Sequence, residues 1–364
     1  MGYNSITLIV GARPNFVKIA PIIAELRRQK VDYRLVHTGQ HYSPEMSDVF
    51  FEELNIPAPN INLGCGGGGR VEQTAAIMVA CEREFLEHRP DLLLVVGDTT
   101  SAMACAVTAK KLNIRVAHVE AGIRSFDTSM PEEVNRMVID SLADIFFTTT
   151  RWATENLLKS GIGRDRIHFV GNVMIDTLLI NRFRFKKPKI YSDLGLQEKK
   201  YIILTLHRPA NVDDATKVKT IVNEIVKNSQ GLPIIFPVHP RTSHLFFEFG
   251  NIAENLYIAE PFGYLEFNYL VERSSLVLTD SGGVTEEATI FGVPCMTLRE
   301  NTERPETCEI GTNELVGVDP KKIADGMKRC LNGEWKMGAI PALWDGKTAS
   351  RIVSLLILSG FGKS

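Results

Sequence analysis

The sequence has almost no net charge. It holds 41 Lys and Arg residues against 43 Asp and Glu residues in 364 positions, which gives a formal charge of -2. A protein that binds a phosphate backbone as its main task needs a basic excess, so nucleic acid is not an expected partner. The six cysteines are scattered and form no CxxC or Cys/His pairing. Neither a disulfide framework nor a zinc or other metal site is therefore expected.

Long apolar runs are also missing. No run reaches the roughly 18 residues that a membrane-spanning helix needs, and no apolar signal-peptide core precedes the first strand-like run. With 44% apolar and 23% charged residues, the composition is typical of a soluble globular protein. The expectation is a cytoplasmic protein of about two domains without a membrane partner.

Short runs rich in valine and isoleucine alternate with helical patterns along the chain. The predicted strands are 6–10, 33–37, 92–96, 116–119 and 145–148, then 201–205, 234–238, 256–258, 276–279 and 295–298. This rhythm predicts an α/β fold class: two Rossmann-like, doubly wound parallel-sheet domains that face a central cleft. We expect an N-terminal domain at 1–170 plus 346–364 and a C-terminal domain at 171–345.

Two stretches do not fit this rhythm. Residues 64–69 read GCGGGG, and because no predicted strand leads into them and no GK[ST] follows, a surface linker is favoured over a phosphate-binding loop. Residues 185–200 are charged and are predicted to loop over the surface of the second domain.

Three acidic residues follow strands of the first predicted sheet. Asp98 follows one strand, Glu120 ends the next, and Glu132 opens the helix after it. Each has a purely structural alternative: Asp98 as a helix N-cap, Glu120 as the partner of Arg124, and Glu132 as an ordinary first-turn acid. Their expected convergence at one sheet edge favours general acid–base chemistry instead.

The second predicted sheet brings histidines to its strand ends. His207 follows the first strand of that sheet, and His239 and Arg241, after the next strand, are weaker candidates by the same reasoning. A lone histidine is more often a hydrogen-bonded structural residue. His207 is the stronger candidate because the predicted cleft would set it opposite the acids of the first domain.

Two further turns suit a diphosphate. Arg13 lies beside a predicted helix N-terminus, where backbone N–H groups favour an anion. In the second domain Ser281, Gly282 and Gly283 would let a pyrophosphate approach a helix N-terminus, and Glu287 could accept hydrogen bonds from two ribose hydroxyls. The alternative is a tight glycine turn followed by acids that favour a helix.

The ordered set of turns resembles the non-hydrolysing UDP-N-acetylglucosamine 2-epimerases, which have the GT-B fold. The resemblance runs from GARPNFVKIAP through VVGDTTSAMA, HVEAGIRSF, MPEEVNR and TLHRPANV to TDSGGVTEEATIFGVPCMTLRENTERPET. The positions that match the family's catalytic residues are Asp98, Glu120, Glu132 and His207. Those that match its UDP-binding residues are Arg13, Phe267, Ser281, Gly282, Gly283 and Glu287.

The resemblance implies reversible conversion of UDP-GlcNAc to UDP-ManNAc without a cofactor, in a homodimer, with UDP as the third small-molecule partner. In this family UDP leaves first, giving 2-acetamidoglucal, and then adds back. Many bacterial members carry an activating second pocket. Gln40 and His41 match that pocket, whereas Ser43 and Glu72 stand where the bacterial pattern has glutamine and arginine. The competing functions are a hydrolysing epimerase, a GT-B glycosyltransferase and a catalytically silent nucleotide-sugar sensor.

Overall fold

The structure is a computed structural model that describes residues 5–40, 50–238 and 253–360. The chain divides into two compact units, Met1–Ile180 with Ala342–Ser364, and Asn181–Pro341. The N-terminal segment of the first unit therefore ends at Ile180, ten residues after the boundary that the sequence predicts at residue 170. The candidates His41, His239 and Arg241 lie outside the described residues.

The first unit is built on a parallel sheet. Its described strands run in the order β3-β2-β1-β4-β5-β6-β7. The strands are β1 (Ile6–Val10), β2 (Tyr33–His37), β3 (Ile61–Asn62), β4 (Leu92–Val96), β5 (Arg115–Ala121), β6 (Ile145–Thr148) and β7 (Ile167–Phe169). The helices are α1 (Arg13–Arg28), α2 (Arg70–Glu87), α3 (Thr100–Lys111), α4 (Pro131–Leu142), α5 (Arg151–Lys159) and α6 (Val173–Asn181), with α14 (Thr348–Leu358) added from the chain's end.

The second unit repeats this architecture, with the described strand order β10-β9-β8-β11-β12-β13. The strands are β8 (Ile202–Thr205), β9 (Ile234–Pro237), β10 (Leu256–Ala259), β11 (Leu276–Thr279), β12 (Cys295–Thr297) and β13 (Asn313–Leu315). The helices are α7 (Lys189–Asp193), α8 (Pro209–Val212), α9 (Ala215–Asn228), α10 (Tyr264–Arg273), α11 (Gly282–Phe291), α12 (Pro305–Glu309) and α13 (Pro320–Leu331).

Burial explains why the central strands form where the sequence predicts them. Every residue of β1 and β4 is buried, as expected for parallel strands covered by helices on both faces. The two strands pair in register, with Ile6 opposite Leu92. Because the strand order reverses between β1 and β4, and again between β8 and β11, each sheet has a switch point where ligands of such folds bind. The expectation of two doubly wound parallel sheets is confirmed.

Two sequence expectations need correction. The short strand β3 does lead into the glycine-rich residues 64–69, and α2 begins directly after them. All of these glycines are exposed, as expected for a surface segment. The stretch 185–200 is more than a loop, because it contains helix α7 and buries Leu196.

Helix α14 belongs to the first unit through a buried carboxylate. Asp176 of α6 accepts hydrogen bonds from the backbone N–H groups of Thr348 (3.1 Å) and Ala349 (2.7 Å) at the start of α14. These donors would otherwise have no partner within the helix.

Among the described residues, no helix is both long enough and apolar enough to cross a bilayer.

Candidate active site

Asp98 lies just past the carboxyl end of β4 and is held by helix α4. The structural alternative, in which Asp98 is a helix N-cap, is wrong, because Thr99 is the N-cap of α3 and its hydroxyl accepts from Ala102 N. The Asp98 carboxylate instead pairs with the guanidinium of Arg136, a buried residue on α4. The neighbouring Asn135 donates to the Asp98 carbonyl at 2.9 Å. The carboxylate is therefore fixed at the sheet's switch point and keeps partial exposure.

Glu120 occupies an unusual backbone conformation near the end of β5. Its φ is +71°, in the left-handed region, and the pairing of β5 with β6 shifts register between Val119 and Ala121. Such a conformation costs a non-glycine residue about 1–3 kcal/mol, and observed strain of this kind clusters at functional sites. The structural alternative, a Glu120–Arg124 pair, is wrong. Glu120 Oε2 lies 2.5 Å from Lys18 Nζ of α1, and both side chains are buried.

Lys18 connects the two carboxylate positions. A Cβ added to Gly97, the residue before Asp98, would lie 2.8 Å from Lys18 Nζ. The ammonium group therefore sits between the Gly97 turn and the Glu120 carboxylate. Adjacent strands β4 and β5 thus present Asp98 and Glu120 at the same edge, each beside a buried cation. Because burying an ion pair this deeply costs desolvation free energy, the Lys18–Glu120 pair points to a functional role.

Glu132 is in the first turn of α4 and is half-buried. Its neighbour Glu133 is fully buried and accepts hydrogen bonds from Ser125 N (2.9 Å) and Phe126 N (3.1 Å). Glu133 also pairs with Arg136 at 2.9 Å. The loop between β5 and α4 is thereby tied to the same arginine that holds Asp98.

Arg13 and the side chain of Gln40 each lie at the start of a helix, α1 and α3 respectively. Arg13 is the first residue of α1, its guanidinium carbon lies 5.3 Å from the centre of the Phe50 ring, and burial lowers its pKa. Gln40 Oε1 accepts from Ser101 N at 3.0 Å and from Ser101 Oγ at 2.7 Å, in the first turn of α3. The side chain of Gln40 is therefore engaged within its own unit.

In the second unit His207 is held by a buried aspartate. His207 Nδ1 lies 2.7 Å from Asp280 Oδ1, and the imidazole is 50% exposed. Asp280 follows β11 and also accepts from Arg208 N at 3.0 Å and Asn211 Nδ2 at 3.1 Å. Burial acts to raise the pKa of Asp280, but the hydrogen bond and charge of His207 outweigh it and the pKa is lowered. This pairing fixes the ring orientation and leaves the other face of the imidazole accessible.

Helix α11 starts at Gly282, with Ser281 at its N-cap position. A Cβ at Gly282 would lie 3.4 Å from Glu303 Oε1, which places the Glu303 carboxylate beside the helix start. Glu303 is buried and pairs with Arg208 (3.1 Å) and Arg299 (2.7 Å). Burial opposes ionisation, but the charges of these and a further arginine lower the pKa of Glu303 to about 2.

Glu287 is buried in the second turn of α11. Asn268 Nδ2 of α10 lies 3.4 Å from Glu287 Oε1, and the buried Tyr264 hydroxyl acts on the same carboxyl group. Burial, together with the charge of Glu286, outweighs the effects of these two neighbours and raises the pKa of Glu287 to about 8. Phe267, one turn along α10 from Tyr264, is half-buried against the apolar core of this unit.

Within residues 5–40, 50–238 and 253–360, no three His, Cys, Asp or Glu side chains are grouped so that they could hold a metal ion.

Comparison with known proteins identifies the family. The model of the UDP-N-acetylglucosamine 2-epimerase family matches residues 24–357. The UDP-N-acetylglucosamine 2-epimerase of Methanocaldococcus jannaschii is 43% identical over 364 residues, which cover 96% of this chain and 98% of that protein. The chain belongs to the UDP-N-acetylglucosamine 2-epimerase family.

A solved structure and a further relative agree with this assignment. The crystal structure of the M. jannaschii UDP-GlcNAc 2-epimerase in complex with UDP-GlcNAc and UDP superposes with a TM-score of 0.88 at 42% identity, covering 97% of this chain and 99% of that one. A UDP-2,3-diacetamido-2,3-dideoxy-D-glucuronate 2-epimerase of Pseudomonas aeruginosa is 40% identical over 358 residues, with 96% and 99% coverage. The fold class of this epimerase family, GT-B, agrees with the two sheets described above.

The structure brings several predicted residues to the carboxyl ends of the strands. Asp98 and Glu120 lie at one edge of the first sheet, and His207 and Ser281 follow β8 and β11 at the switch point of the second. Sequence reasoning overlooked their charged partners, which are Lys18, Arg136 and Asp280. A signal was available for Lys18, since it interrupts the apolar helical run FVKIAPII. Arg136 is one helical turn from Glu133, with which it pairs, and could have been found from that spacing.

Proposed function

We propose that this member of the epimerase family interconverts UDP-GlcNAc and UDP-ManNAc by eliminating UDP and adding it back, without net hydrolysis. The observation that carries the proposal is the pair Asp98 and Glu120, at the ends of neighbouring strands, each beside a buried cation. Two carboxylates in fixed positions supply a base for one face of a carbon and an acid for the other.

The chemistry explains why elimination comes first. The C2 hydrogen of UDP-GlcNAc is not next to a carbonyl group, so direct removal near neutral pH would be too slow. When the bond between C1 and the UDP oxygen breaks, C1 gains positive character and C2–H becomes acidic. A carboxylate takes that proton, the C–H electron pair forms the C1=C2 bond of 2-acetamidoglucal, and UDP leaves with the C1–O pair. Protonation of C2 on the opposite face and return of UDP to C1 complete the epimerisation, with no net redox change.

The leaving diphosphate suits the start of α11. Backbone N–H groups at Gly282 and Gly283 are free of intrahelical acceptors by the geometry of any helix start. The guanidinium groups of Arg208 and Arg299 pair with Glu303, and that of Arg304 pairs with Glu286. These arginines and the helix N-terminus would stabilise the departing pyrophosphate electrostatically.

The nucleoside would bind further along the same unit. Glu287 has the position and the depth to accept hydrogen bonds from ribose hydroxyls, and Phe267 offers an aromatic face to uracil. His207, oriented by Asp280, would act as an acid, a base or an electrostatic support near the reacting sugar. Glu132 and Arg13 complete the proposed catalytic and UDP-binding sets.

One NMR experiment tests the proposed reaction. The purified chain is incubated with UDP-GlcNAc alone in D2O, and sugar signals are followed with time. The expected product is UDP-ManNAc with deuterium at C2, together with traces of UDP and 2-acetamidoglucal. Release of free ManNAc as the main product would indicate the hydrolysing epimerase. Product that keeps protium at C2 would overturn elimination and re-addition, and turnover only with an added acceptor would indicate a glycosyltransferase.

The substrate sugar needs its own comparison. Because the P. aeruginosa relative named above acts on a diacetamido glucuronate sugar at nearly the same identity, UDP-2,3-diacetamido-2,3-dideoxy-D-glucuronate is run in parallel. We expect a kcat/KM at least tenfold higher for UDP-GlcNAc. The reverse preference would move the proposal to that sugar. The proposed cytoplasmic homodimer is tested separately, by light scattering of the purified chain.

A further inference from the structure

His118 is a fully buried histidine on β5, two residues before Glu120. Its Nδ1 atom lies 2.7 Å from Asp140 Oδ1, and its Nε2 atom lies 3.0 Å from the carbonyl oxygen of Gly97. A carbonyl oxygen only accepts, so the contact with Gly97 requires an N–H on Nε2. The ring therefore bridges the Asp140 carboxylate and the Gly97 carbonyl.

Asp140 on α4 anchors this ring. It is buried, and its Oδ2 atom accepts from Gly122 N at 3.1 Å and from Arg124 Nη1 at 2.6 Å. Burial tends to raise the pKa of Asp140, but the charge and hydrogen bond of His118 and the charge of Arg124 lower it overall. One carboxylate thus binds the chain on both sides of Glu120, through residue 118 before it and residue 122 after it.

The same ring holds the turn that carries Asp98. Gly97 has φ of +66°, its N–H donates to Val119 O at 3.0 Å, and its carbonyl accepts from His118 Nε2. Gly97 is therefore bound to β5 through both its N–H group and its carbonyl oxygen. Because Asp98 follows Gly97 directly, the position of Gly97 sets the backbone direction at Asp98. The Asp98 carboxylate in turn pairs with Arg136.

We propose that His118 is a positioning residue, which sets the backbone at Gly97 and at Glu120 and thereby the direction of the Asp98 and Glu120 carboxylates. The inference rests on the proposed function, in which these two carboxylates act at C1 and C2 of the sugar. His118 is enclosed by protein and acts through its neighbours rather than on substrate. Small displacements of reacting groups cost large factors in rate, so its loss should appear in kcat.

Two amide variants separate the two contacts of the ring. In His118→Gln the amide nitrogen can occupy the place of Nε2 and donate to Gly97 O. In His118→Asn the amide nitrogen can occupy the place of Nδ1 and donate to Asp140. The matched control is His168→Asn, a partly buried histidine on β7 whose ring packs beside Phe147. Steady-state kinetics with UDP-GlcNAc and thermal unfolding are measured for wild type and all three variants.

The expected result is a kcat about tenfold or more lower in His118→Asn, a smaller loss in His118→Gln, and KM within about twofold of wild type in both. The control keeps its kcat. Losses that follow only the unfolding temperature would overturn the positioning role. Wild type that does not convert UDP-GlcNAc overturns the proposed function, whereas active wild type with an unimpaired His118→Asn overturns only this inference.

A measurement on the wild type keeps the inference testable if either variant does not fold. Nitrogen-15 NMR of the histidine ring should find a slowly exchanging proton on Nε2 of His118, hydrogen-bonded to the Gly97 carbonyl. An Nε2 atom without a proton would contradict this contact and overturn the inference.

Discussion

The buried carboxyl group of Glu287 makes the folding stability of this protein depend on pH in a direction opposite to that of most acids. Its pKa is raised from 4.5 to about 8, chiefly by burial. A raised pKa means that the folded state retains a proton which the unfolded chain has lost. The contribution of this group is therefore complete below the unfolded pKa and is lost as the pH rises through the folded pKa.

The substitution Glu287→Gln removes the effect while keeping the shape. Because Asn268 Oδ1 is buried without a hydrogen-bond partner in the described part of the structure, it could accept from the glutamine amide. At about 1.4 kcal/mol per pH unit, the ionisable group costs wild type roughly 3 kcal/mol at pH 7 and about 5 kcal/mol above pH 8, relative to pH 4.5. The variant should thus gain on wild type across this window by these amounts.

Urea unfolding followed by circular dichroism at pH 5, 6, 7, 8 and 9 measures the difference. The matched control is Glu334→Gln, an exposed glutamate in the same unit, which should give a flat difference from wild type. A pH-independent offset between Glu287→Gln and wild type would refute the reasoning, as would a variant that loses stability relative to wild type as the pH rises.

Nucleotide binding gives an independent check of the same group. If ribose hydroxyls donate to Glu287, as the proposed function requires, UDP binds the ionised form. Binding at pH 7 should then release about one proton. Calorimetric enthalpies measured in phosphate and in Tris should differ by the ionisation enthalpies of the buffers for wild type, and should agree for Glu287→Gln. Equal enthalpies for wild type would contradict the assignment.

Three further predictions follow from the site. Lys18→Met leaves Glu120 buried without the Lys18 cation, so the free energy of unfolding should fall by about 3–5 kcal/mol. Adding Glu120→Gln should restore part of that free energy. A double mutant no more stable than Lys18→Met alone would contradict the pairing. Asp98→Asn should lower kcat with little change in KM, whereas Glu287→Ala should mainly weaken UDP binding; equal effects on turnover in steady-state kinetics would argue against these roles. Chelation with EDTA should leave activity within about twofold, and a loss reversed by a divalent ion would refute the metal-free chemistry.

The central part of each sheet could be predicted because its strands carry their own signal. β1 and β4 are continuous apolar runs, and burial on both faces leaves no alternative arrangement for them. Three of the four edge strands, β3, β7 and β13, were not predicted. They have two or three residues each, include polar residues such as Asn62 and Glu314, and are strands only because a neighbour pairs with them. Tertiary pairing overrides local propensity most easily in such short segments.

The residues of the candidate site likewise include some that the sequence locates and some that it does not. The carboxyl ends of predicted strands locate Asp98, Glu120 and His207, because the sheet geometry that gathers them depends only on strand order. Their partners depend on three-dimensional detail instead. Arg124, four residues from Glu120, is the obvious local choice, yet it pairs with Asp140.

The backbone at Glu120 shows why sequence spacing misassigns that partner. In a regular strand, side-chain directions alternate and spacing alone predicts which residues meet. The left-handed φ of Glu120 and the register shift beside it break this alternation, so its carboxylate meets Lys18, more than a hundred positions away in the chain. No spacing rule anticipates such a turn. What the sequence does carry is the cost: a lysine within an apolar helical run must find a buried anion. Unsatisfied charges in core-forming segments are therefore the better guide to the partners of catalytic acids.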